Sequence, residues 1–110
     1  MLDSFESTFD DILLNTVNQV LIDVLGETGA SFLFCQLRRR HGLDMRTIPN
    51  RVEEFGNGIV ELLGSGGEAI LKMIVDGVAE ELGTRAPRGR GIKFEAKLRI
   101  LCEGLQRAKP

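Results

Sequence analysis

The chain has 110 residues, a one-domain length whose core can take up about 65% of the surface exposed by the unfolded chain. Hydrophobic residues make up 43% and charged residues 27%, which excludes disordered, collagen-like and coiled-coil classes. The lack of Trp and Tyr disfavours base-stacking surfaces and aromatic hot spots, and the net charge is only −2. That small net charge hides blocks. Residues 1–30 are acidic without a base, 31–51 carry five arginines against Asp44, 52–83 carry seven acids against Lys72, and 84–110 carry eight bases against two acids. Alternating blocks suit helices of opposite sign packing beside one another, or an anion-binding surface made by the two basic segments together.

Asp3 with Glu6 has the spacing of a capping box, and Phe5, Phe9, Ile12, Leu13, Val17, Val20, Leu21 and Val24 predict a first helix ending at Gly26. Leu14 and Leu25 widen its apolar face, so it needs two neighbours, or one neighbour and a second subunit. This width is the reason to expect a homodimer. A second helix begins near Glu27 and runs through Ala30, Leu33, Phe34 and Leu37 to Arg40, with Gly42 as a left-handed stop. Arg38, Arg39, Arg40 and His41 complement the negative end of its dipole, and the same arginines are candidates for an acidic partner.

Residues 43–49 read as a connector. Pro49 disfavours helix at Ile48, and Asn50 with Glu53 predicts the cap of a third helix burying Val52, Phe55, Ile59, Leu62 and Leu63. Gly56 and Gly58 inside it each cost roughly 1 kcal/mol against alanine, which points to close approach of another helix. The turn Gly64-Ser65-Gly66-Gly67 leads into a fourth helix, with Ser65 and Glu68 spaced as a capping box and Gly83 at its end. Its apolar stripe is Ala69, Ile70, Met73, Ile74, Gly77, Val78, Ala79 and Leu82. The glycines of this turn follow no strand and match neither GxGxxG nor a P-loop, so they predict an interhelical turn rather than a phosphate cradle.

Residues 84–91, TRAPRGRG, form a basic loop, and Ile92, Phe94, Leu98, Leu101, Cys102 and Leu105 predict an amphipathic helix over 92–108. Lys93, Lys97, Arg99, Arg107 and Lys109 cover its other face. This basic end suits an acidic protein, a nucleic-acid backbone or a membrane surface, or a solvated outer face.

Catalytic and metal-ligating patterns are absent from the sequence. His41 is the lone histidine, Asp10-Asp11 and Glu80-Glu81 are adjacent pairs that point to different faces, and Cys35 and Cys102 lie far apart in apolar helical patterns. The thiols therefore read as small buried hydrophobes in a reducing compartment. The acidic start MLDSFESTFDD lacks the positive region of a signal peptide, and the interrupted apolar pattern predicts no membrane span, so a cytoplasmic location is expected.

Three features carry a family resemblance: Pro49 followed by Glu53, Glu54 and Phe55; the turn LLGSGGEA over 62–69; and the helix from Ile70 to Leu82. With the preceding GETGASFLFCQLRRRHGLD, they resemble the small archaeal helical domain called the Nitrosopumilus-type output domain. The likeness covers residues 5–83 and leaves the basic tail without a counterpart. It implies archaeal origin and a regulatory or protein-interaction role, with no catalytic residues.

The expected fold is all-α: a bundle of about five helices with antiparallel neighbours and no sheet, its core in 4–83. The expected function is a non-enzymatic regulatory or signalling interaction domain, homodimeric, without cofactor or metal. Arg38, Arg39, Arg40, Arg85, Arg88, Arg90, Lys93 and Lys97 are the candidate partner-binding residues. The alternative is a nucleic-acid-associated regulator using 38–40 and 85–99.

Overall fold

Phe9, Leu13, Val17 and Leu21 recur every fourth residue and are all buried, so one stripe of the first helix faces inward. The next buried positions are Ala30, Leu33 and Leu37. In an unbroken helix of 3.6 residues per turn, Ala30 would lie about 180° around the axis from Leu21, facing solvent. Gly26 resolves the conflict. Its φ of 77° and ψ of 168° are non-helical and turn the second half so that both stripes meet one core.

The computed structural model describes residues 4–89 and 91–108, with the side chains of residues 4–7 and 106–108 outside the description. It contains four α-helices, α1 (Ser4–His41), α2 (Val52–Leu63), α3 (Ser65–Glu81) and α4 (Phe94–Ala108), with a 3₁₀ turn at Ile48–Asn50. No strand occurs among the described residues. Four helices replace the expected five because helical structure resumes directly after Gly26, making the first two helices one kinked element. The radius of gyration is 13.6 Å, close to the roughly 13 Å of a compact chain this long.

α1 packs on α2, α3 and α4, and α3 also contacts α2 and α4. Glycines mark several of these packings. A Cβ at Gly77 of α3 would meet Thr16 Cγ2 of α1 at 2.7 Å, and one at Gly58 of α2 would meet Leu37 Cδ2 of α1 at 2.7 Å. At Gly56 it would meet Phe94 of α4 at 3.1 Å, and at Gly67 the backbone oxygen of Ile59 at 2.6 Å. The expected close approach at Gly56 and Gly58 is thus present, and its cost in helix propensity is offset by packing. The core extends past residue 83: Leu98 and Leu101 of α4 are buried in the same apolar cluster as Phe55, Ile59, Ile74 and Val78.

Helix ends differ from expectation at three starts. Gly64, with φ 62°, is by itself the turn between α2 and α3, so Ser65 is already helical and makes no capping bond. The Gly64 carbonyl instead accepts from Gly67 N at 2.9 Å. Arg51, not Asn50, precedes α2, again without a side-chain cap, because Asn50 is used in the 3₁₀ turn. The stops match: Gly42 and Gly83 have φ of 65° and 71°. At Gly83 the Thr84 N–H donates to the Ala79 carbonyl and the Gly83 N–H to that of Glu80, the paired bonds of a Schellman ending. The Asp3–Glu6 cap, the Phe5 side chain, Arg107 and Lys109 lie outside the described residues and side chains. α4 begins at Phe94, two residues later than expected.

Arg51 ties the end of α1 to the start of α2. Its Nη2 donates to the His41 carbonyl at 2.7 Å and to Glu54 Oε2 at 2.6 Å, its Nη1 to the Gly42 carbonyl at 2.9 Å, and its Nε to Glu54 Oε1 at 2.8 Å. The guanidinium thereby covers carbonyls left open at a helix C-terminus while making a forked pair with a carboxylate. The hydrogen bond from Arg51 is the main cause that lowers the Glu54 pKa from its ordinary 4.5, and burial opposes it. The Arg51 pKa is raised, first by the same bond. A carboxyl whose folded pKa is depressed stabilises the fold above its ordinary pKa and loses that contribution as pH falls through the folded value. Glu54→Gln is therefore expected to lower the melting temperature at pH 7, by a small amount because water screens the pair, and to converge with wild type below pH 4.5. Thermal denaturation from pH 7 to 3 checks this.

Candidate anion-binding surface

Residues 84–89 cross from the end of α3 towards α4, and Ala86 is the residue that packs on the core. With Ala86 turned in, Arg85 and Arg88 on either side of the Ala86-Pro87 pair remain exposed. They rim a basin of about 540 Å³ whose other walls are Lys72 and Asp76 of α3 and Lys97 of α4. Lys97 is placed by the first backbone bond of α4, from its N–H to the Lys93 carbonyl at 2.9 Å. Lys72, Arg85, Arg88, Lys93 and Lys97 form no ion pair among the described residues. Four cations from three chain segments thus face one concavity with a single carboxylate among them.

Beside it runs a second groove of about 660 Å³, between α2, α3 and residues 92–97, sharing Lys72, Val75 and Lys97 with the basin. Lys93 lies here, opposite Glu53, Glu68 and Glu95. This groove therefore carries both signs of charge, and the net positive field is concentrated on the basin side.

No protein-family model, curated protein or solved structure matches the chain.

The structure brings together Arg85, Arg88 and Lys97 of the expected set, with Lys93 next to them. Arg90 lies outside the described residues. Arg38, Arg39 and Arg40 are exposed at the end of α1, where Arg38 borders a separate cavity with Cys35, Asp44 and Met45. No described cavity joins residues 38–40 to residues 85–97, so these cavities do not unite the two basic segments. Lys72 was not among the expected residues. As the lone base in an acidic block it had no sequence signal, and only the loop crossing beside it supplies one.

Other expectations need correction. Cys35 is exposed rather than buried, as is its neighbour Phe32 at 65%, because the break at Gly26 rotates this side of the helix outward. Met73, 44% exposed, yields its place in the α3 core to Leu71 and Val75. By length and composition Thr8–His41 is long and apolar enough to cross a membrane, which the interrupted pattern hid. In this fold its stripes pack on the other helices.

His41 also has a partner that sequence spacing concealed. Its Nε2 lies 3.0 Å from Glu61 Oε1, joining the end of α1 to α2. A histidine and carboxylate make the orienting half of a nucleophilic site, but no nucleophilic side chain is bonded to this ring among the described residues. No group of three metal-ligating residues occurs among them either.

Proposed function

We propose that the chain is a non-enzymatic regulatory or signalling protein-interaction domain, homodimeric and cytoplasmic, which holds an acidic segment of a partner protein in the basin between α3, residues 84–89 and α4. The observation that carries this reading is the convergence of Lys72, Arg85, Arg88 and Lys97, without ion pairs among the described residues, on one concave surface. Cations so placed lose little internal pairing on meeting a carboxylate, and they steer an acidic ligand towards the site. Val75, Ala86 and Pro87 in the same basin offer apolar contacts that a polypeptide can use. A concavity of about 540 Å³ takes a single narrow segment in preference to the wide cylinder of a duplex. The helical-domain resemblance of residues 5–83 points to the same class of role.

The test is a titration by fluorescence anisotropy. A labelled peptide alternating Asp or Glu with small apolar residues is expected to bind and to weaken as salt rises. Joint Arg85→Glu and Arg88→Glu substitution, at exposed positions, is expected to weaken it about tenfold or more, a change of roughly 1.4 kcal/mol or more. Mixed-sequence duplex DNA is the competing ligand. Tight DNA binding with a steep salt slope, lost in the same variant, would replace the protein-interaction reading with the nucleic-acid one.

A further inference from the structure

The second half of α1 carries a surface that neither the basin nor the core uses. From Glu27 to Arg39 its exposed residues are Glu27, Thr28, Ser31, Phe32, Cys35, Arg38 and Arg39. Their spacings of three and four place them along one outer stripe of the helix. The stripe has a direction, with an acid at its start, the exposed Phe32 and Cys35 in the middle, and two arginines at its end.

We infer that this stripe is where a second copy of the chain docks, antiparallel, about a two-fold axis at the level between Phe32 and Leu33. The inference rests on the homodimer in the proposed function and assigns its surface. A two-fold interface must be self-complementary, since each patch meets a copy of itself. Residues equally far from the axis and on the same flank of the helix then face each other; Glu27 and Arg38 lie only about 20° apart around it, so Glu27 of one copy meets Arg38 of the other, twice. Each pair lies about 8 Å from the axis, at 1.5 Å per residue. The Phe32 rings and Cys35 thiols of the two copies come together between these pairs. A parallel pairing would set arginines against arginines, and a lipid surface would have to accept Glu27 beside Phe32. The charge order along the stripe therefore selects the antiparallel copy. Pairing one helix with one helix buries less than the roughly 1,200 Å² of a standard interface, so the dimer is a reversible one.

Sedimentation velocity across a concentration series of the full chain tests this. Wild type is expected to dimerise reversibly, Arg38→Glu to weaken the dimer about tenfold or more, and Glu27→Lys combined with Arg38→Glu to restore it. The restored double variant separates a lost contact from a lost fold. A short bis-maleimide is expected to link Cys35 to Cys35, identified by peptide mapping. Wild type that stays monomeric at every concentration overturns both this inference and the homodimer. A dimer that persists in Phe32→Asp, or that gives no Cys35 link, overturns the assignment of the surface and leaves the basin reading intact.

Discussion

Phe55→Ala is expected to cost about 3–5 kcal/mol, the range for removing a buried phenylalanine, out of the 5–15 kcal/mol that holds a typical domain together. Phe55 is fully buried, and its ring lies 6.2 Å from that of Phe94, tilted by 40°. It sits on α2 and Phe94 opens α4, so the pair is a main link between the bundle and its last helix. The effect reaches function through position. With that link cut, α4 loses support at its first turn, where Lys97 joins the basin wall. Urea denaturation followed by circular dichroism measures the first effect, and peptide titration under conditions where the variant remains folded measures the second. A cost under about 1 kcal/mol would mean that the space is refilled and that α4 does not depend on this contact.

Two adjacent glycines are expected to give opposite effects. Gly67→Ala places a methyl group 2.6 Å from the carbonyl oxygen of Ile59, a backbone atom that cannot swing aside. α2 and α3 must separate, and overpacking of this kind costs about 1–3 kcal/mol, with the upper end expected here. Gly66→Ala meets nothing within 4 Å and has no positive φ. It is expected to stabilise the protein by up to about 1 kcal/mol through helix propensity and a less flexible unfolded chain. Chemical denaturation of both variants checks the sign. Stabilisation by both would contradict the close approach of Gly67 to the Ile59 carbonyl.

Helical periodicity made most of the fold legible. The burial of Phe55 and Ile59 on α2, the ends at Gly42 and Gly83, and the inward faces of Leu13, Val17, Leu21, Leu33 and Leu37 all follow from spacing, whereas Val52, Leu62 and Leu63 of α2 are only half-buried. Spacing failed where a helix changes phase or has a neighbour on more than one side. Phe32 looks like a continuation of the Leu21 stripe and would be one in a straight helix, but the break at Gly26 turns it out. Met73 and Leu71 are both apolar residues of α3, and the helices packed on either side decide which is covered. The single-residue turn at Gly64 removed a cap that the Ser65–Glu68 spacing imitates. The candidate surface was half legible. Arg85, Arg88 and Lys97 announce themselves by density of charge, whereas Lys72 joins them only through a chain crossing that no local pattern encodes. The separation of Arg38, Arg39 and Arg40 from that basin is likewise a matter of topology, invisible in two basic runs on a line.

The basin is the feature on which the proposed function rests. Two-dimensional amide NMR of the labelled protein, titrated with the acidic peptide, tests it most directly. The expected result is a saturable set of shifts confined to residues 72–76, 85–89 and 93–97, abolished by Arg85→Glu with Arg88→Glu. Shifts centred on residues 38–40, or none at peptide concentrations well above micromolar, would contradict it.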